Sequence, residues 1–136
     1  METSEARIAK IFNKNDVPKV CKETLLGYRQ HILRDFDRTA ILTGREDFPW
    51  EEKYVFGGGS RVEYEKLKRI HPSYTDEYEL IDISEDIIEE NDLVSTLKRL
   101  SDGKRFEIGL SWLETKNKKS KDHQLLDDFA TWVANW

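Results

Sequence analysis

The stretch LVSTLKRLSDGKRFEIGLSWLE, Leu93 to Glu114, decides the fold. Two short runs, LVSTLKRL and KRFEIGL, flank Ser101-Asp102-Gly103, and an Asp followed by a Gly supplies the turn chemistry of a tight β-hairpin. Just beyond the second run, Leu110 to Glu114 reads as a single turn of tight helix presenting Trp112 and Leu113. Upstream, EYELIDI (Glu77–Ile83) alternates well enough for a further strand, with Tyr78, Leu80 and Asp82 on one face and Glu79, Ile81 and Ile83 on the other. The alternation does not decide which face is buried.

Helical periodicity takes over on either side. Val17, Cys21, Leu25, Tyr28, Ile32 and Phe36 recur every three or four residues, which puts them on one side of a helix. Asp16 reads as its N-cap, with Pro18 in the first turn, where no N–H is needed. At the other end Leu125, Phe129, Trp132, Val133 and Trp136 share one side of a closing helix capped by Ser120. Between them, TAILTG (Thr39–Gly44) and KYVFGGG (Lys53–Gly59) read as short strands ended by glycine. Phe48 and Trp50 around Pro49 read as an extended segment laid over the core. Ser60 and Glu63 have capping-box spacing ahead of a short helix that His71 and Pro72 terminate. The first 15 residues read as a loosely held, frayed helical arm.

The expectation is one α+β domain over residues 1–136, since 136 residues are too few for two ordinary domains. Strands this short share a core most readily in a small, strongly bent antiparallel sheet, of which an SH3-like barrel is one form, between an N-terminal and a C-terminal amphipathic helix. With 36% charged residues, no apolar run of membrane-spanning length and no apolar leader, the chain reads as soluble and cytoplasmic. A single cysteine, Cys21, forms no intrachain disulfide and lies on the apolar stripe, where it reads as core.

Charge is concentrated in one place. Between Asp76 and Asp92 lie nine carboxylates and no Lys or Arg, so the rest of the chain is net positive although the whole carries −5. Such a segment attracts cations and basic partners and repels phosphate backbones, which argues against nucleic acid at this face. Calcium takes about six to eight oxygens at roughly 2.3–2.6 Å. Asp82, Glu85, Asp86, Glu90 and Asp92 are the candidate ligands. Asp128 joins them because helical rotation puts it at the edge of the closing helix's buried face, whereas Asp127 points away. There is no EF-hand order. Against the ion site stands the plain reading of solvated carboxylates pointing apart, and for Asp128 that of a hydrogen bond to a neighbouring segment.

Nothing points to catalysis. His31, His71 and His123 share no ligand spacing, Gly57–Gly59 lack the GKS or GKT ending of a phosphate loop, and no carboxylate pair is marked as desolvated. Lys116, Lys118, Lys119 and Lys121 form a basic loop.

In order along the chain, DEYELIDI, an acidic loop, a hairpin, FEIGLSWLE and the closing LLDDFATWV resemble the small acidic calcium-binding proteins known from cyanobacteria, and LLGYRQHILRDF resembles that family's early helix. The segment Thr43–Pro72 has no counterpart in it, and SDGKRF is more basic than its hairpin. The resemblance implies a cytosolic, non-enzymatic protein that binds or buffers calcium. The alternative is an interaction or immunity-type module whose acidic face docks a basic protein.

Overall fold

In a computed structural model, which describes residues 2–87 and 91–136, the hairpin forms where the sequence puts it. Strands β3 (Val94–Arg99) and β4 (Arg105–Gly109) pair antiparallel, and Gly103 makes the turn at φ 74°, a left-handed conformation that glycine adopts without strain. Strand β2 (Tyr78–Ile83) pairs with β3, β1 (Ile41–Gly44) with β2, and a short β5 (Leu113–Thr115) with β1. The order is β4-β3-β2-β1-β5, all antiparallel. Among the described residues β4 and β5 do not meet, so the sheet stays open instead of closing into an SH3-like barrel.

One irregularity in β2 decides the fate of its acid. Opposite the single step from Leu97 to Thr96, β2 advances two residues from Leu80 to Asp82. A bulge of this kind switches the alternation. The face carrying Tyr78 and Leu80 is the buried one, but Ile83 replaces Asp82 on it and Asp82 turns outward.

Helices α1 (Ser4–Ile11), α2 (Lys22–Asp35) and α5 (Lys121–Asn135) contribute to the same core. Tyr28 stacks on Trp132 at 5.1 Å and meets Phe129 edge-on at 5.0 Å, with Phe12 against both Tyr28 and Trp132. Each fully buried aromatic or branched side chain contributes about 2–3 kcal/mol. The first 15 residues are not a loose arm: Thr3 caps α1, and Ile8 is fully buried. Helix α2 starts five residues later than the expected cap at Asp16 places it. Pro18 gives its carbonyl to the Trp132 indole, and Thr24 accepts from the Cys21 amide, so Cys21 becomes the N-cap. The thiol is exposed, not core. On α5, Leu126 is buried and Trp136 is exposed.

The segment between β1 and β2 departs most from its reading. Pro49–Glu51 form a 3-10 turn and Glu52–Val55 a short helix, α3, where a strand was expected; α4 (Arg61–Ile70) follows with Ser60 as cap. Helix α3 turns Tyr54 flat onto Tyr64, 5.0 Å apart and 8° from parallel. The Tyr54 hydroxyl takes Glu63 Oε1, so the carboxylate expected to complete a capping box is drawn off. Under this aromatic layer Glu51 is fully buried, accepting from Tyr64 Oη, Ser73 Oγ and the Tyr74 amide.

Arg99 locks this segment to the hairpin. Its position two residues beyond Leu97 sends it to the buried face, where it is 2% exposed. There it donates to the carbonyls of Lys68, Arg69 and His71 at the end of α4, and to Asp76 and Asp102. Arg99→Met is expected to cost roughly 3 kcal/mol, because those oxygens lose a shared donor; urea unfolding measures it. Hydrogen bonding to Arg99 holds the Asp102 carboxyl down to about 2, from 3.8. A depressed pKa contributes stability that is complete above the unfolded value and disappears as pH falls. The stability gap between the parent protein and Asp102→Asn should therefore be constant above about pH 4 and close between about pH 4 and 2, read from thermal midpoints.

Candidate functional site

The β2–β3 connection carries the acidic residues, and the fold distributes them instead of gathering them. Asp82 is exposed just after the bulge, its Oδ1 accepting from the amide of Ile83. Glu85 is exposed and lies 3.5 Å from Arg29 of α2, whose Nε already donates to the Ile83 carbonyl. Asp86 is exposed, its amide donating to Ser84 Oγ. Glu90 lies outside the described residues.

The other two candidates are buried. Asp92 is 6% exposed and accepts from the amide of Leu93 and from both the amide and hydroxyl of Ser111. It thereby caps the 3-10 turn Leu110–Trp112. Gly109 makes this approach possible, since a Cβ there would lie 2.6 Å from Asp92 Oδ2. Asn91, at φ 52°, turns the chain into β3, a conformation asparagine tolerates better than most residues.

Asp128 does sit at the edge of the buried face of α5, at 4% exposure. Its partner is a helix: both oxygens accept from Arg7 of α1, at 2.7 and 3.0 Å. This bond raises the Arg7 pKa above its ordinary value. The Asp128 charge also adds to the burial that pushes the Tyr28 phenol up. Asp127 points away from the core and meets Arg45 at 2.6 Å.

Two further acids of the run have partners of their own. Asp76 bonds Arg99 and the Ser73 amide, and Glu77 pairs with Lys116. Among the described residues no three Asp, Glu, His or Cys side chains are grouped to hold a metal ion. Nor is any helix among them long and apolar enough to cross a membrane.

A cavity of about 650 Å³ lies elsewhere, between α1, α2 and α5. Its carboxylates are engaged: Asp128 by Arg7, Asp35 by Arg34 at 3.5 Å, and Asp122 by the Asp37 amide. Burial lowers the His31 pKa, so the imidazole favours its neutral form.

Residues that sequence reasoning passed over organise this end of the molecule. Arg29 and Arg38 both donate to β2 carbonyls, of Ile83 and Ile81. Nothing local marks Arg29 on α2, or Arg38 in the turn after it, for that task. Ser111 is foreshadowed only as part of the tight turn. For Arg99 a signal existed, since a cation at the parity of Ser95 and Leu97 must be buried with partners, and Asp102 stands three residues on.

No family model, no curated protein and no solved structure matches this chain.

If Asp128 is a structural partner of Arg7, Asp128→Asn should lower stability by about 2 kcal/mol. Arg7→Met in the same background should add little further. A double-mutant cycle by urea unfolding reads the coupling.

Proposed function

We propose that this chain is a non-enzymatic cytoplasmic protein that takes up a positively charged ligand on its β2–β3 connection, and that the ligand is a basic surface of another protein. The observation that carries this reading is the division among the candidate acids. Asp82, Glu85 and Asp86 are exposed within one short segment, whereas Asp92 and Asp128 are occupied by Ser111 and Arg7. A calcium cage needs about six to eight oxygens aimed at one point. Releasing Asp128 to join one would strand the Arg7 guanidinium, a cost of about 2 kcal/mol. A basic protein surface makes no such demand. Separate carboxylates each meet their own lysine or arginine, and their summed field accelerates encounter.

Calcium binding or buffering is the second reading, supported by the resemblance to the cyanobacterial calcium-binding proteins and by the oxygen-rich run Asp82–Asp86. The two separate in one titration series. A lysine-rich peptide and calcium chloride are titrated in turn, by calorimetry, into the parent protein and into Asp82→Asn/Glu85→Gln/Asp86→Asn. The expected result is peptide binding that weakens at least tenfold between about 50 and 500 mM salt, is lost in the variant and ignores chelator, with no calcium heat at millimolar concentration. Saturable calcium binding lost in the variant would replace the first reading with the second. Neither heat would remove both.

A further inference from the structure

Among the described residues strand β4 ends the sheet, pairing with a strand on one side only, and its outer edge is chemically specific. Hydrogen bonds from the Leu110 amide to the Leu93 carbonyl, at 2.7 Å, and from the Arg99 amide to the Lys104 carbonyl, at 2.8 Å, set the parity of the hairpin. The backbones of Phe106 and Ile108 therefore face β3, and those of Arg105, Glu107 and Gly109 face outward. Edge groups of this kind are a template for another strand. Few of the usual protections are present, since β4 carries no proline and no bulge.

The side chains choose which strand. Arg105 and Glu107 are both exposed and share the solvent face of the sheet. Within the chain Arg105 stands opposite Lys98, a like charge, and Lys98 has Glu79 on its other side. Glu107 stands opposite Thr96. Neither makes an ion pair among the described residues. Now let a second β4 approach antiparallel. A register centred on Arg105 sets arginine against arginine, and one centred on Glu107 sets glutamate against glutamate. Centred on Phe106, each Arg105 faces a Glu107 and each Glu107 an Arg105, at positions whose N–H and C=O groups also point outward. The same alignment brings the two half-buried Phe106 rings together on the opposite face.

We propose that β4 is a self-recognition edge, at which two copies of this chain join antiparallel about Phe106 with Arg105 and Glu107 paired reciprocally, continuing the sheet across a twofold axis. Backbone complementarity supplies the attraction, as in strand addition. Reciprocal charge selects the register and rejects its neighbours. The interface is isologous, so it closes at two copies and does not propagate into a fibre.

Sedimentation equilibrium over about 5 µM to 1 mM tests it directly. The parent protein should dimerise, and Glu107→Arg or Arg105→Glu alone should raise the dissociation constant at least about tenfold by placing like charges opposite each other. Mixing these two variants should restore association as a heterodimer, and the double exchange Arg105→Glu/Glu107→Arg should restore the homodimer. Circular dichroism melts establish that each variant folds, and the exchange and the mixture keep the test sound if one single variant does not. A parent protein monomeric throughout, a dimer indifferent to either reversal, or a mixture that stays monomeric would each overturn the proposal.

Discussion

The buried guanidinium of Arg99 is the interaction on which the second half of the structure depends. A cation taken out of water carries a desolvation cost of several kcal/mol, offset only when its donors are satisfied. Arg99 meets that condition with three carbonyls from the last turn of α4, two carboxylates and the face of Phe106, 4.9 Å from its carbon centre. The carbonyls at the end of a helix lack partners within it. One side chain thus closes α4, fixes the approach to β2 through Asp76, and braces the hairpin turn through Asp102.

Glu51 does the complementary work from the opposite sign. Its carboxylate gathers a phenol, a hydroxyl and an amide from three points in the segment between α3 and β2. The Trp50, Tyr54 and Tyr64 rings then roof it. Segment 43–72, which has no counterpart in the resemblance drawn from sequence, is therefore tied to the core through Phe48, Trp50 and Glu51 and is not an appended loop.

The acidic run is dispersed by the same economy. A carboxylate can find an arginine, a lysine or a backbone amide singly, at lower cost than crowding with its own kind. Asp76 goes to Arg99, Glu77 to Lys116, Glu85 to Arg29 and Asp92 to Ser111. Density of charge along a chain is a property of sequence, whereas convergence of oxygens is a property of backbone direction. The bulge in β2 illustrates the difference, because one additional residue moves Asp82 from the buried face to solvent.

Local chemistry, by itself, determined the α+β class, the hairpin about Asp102 and Gly103, the caps at Ser60 and Ser120, and the edge placement of Asp128, because each rests on residues within a turn or two of one another. The late start of α2, the helix in place of a strand at Lys53–Val55, the open edges of the sheet and the division of the acids were decided only in three dimensions. They turn on pairings between distant residues: the Trp132 indole with the Pro18 carbonyl, Tyr54 with Tyr64, Arg99 with the end of α4, Arg7 with Asp128. No local pattern announces such partners, which for Pro18 with Trp132 and Arg7 with Asp128 lie 114 and 121 residues apart, and the energy of such a contact exists only after the chain has folded.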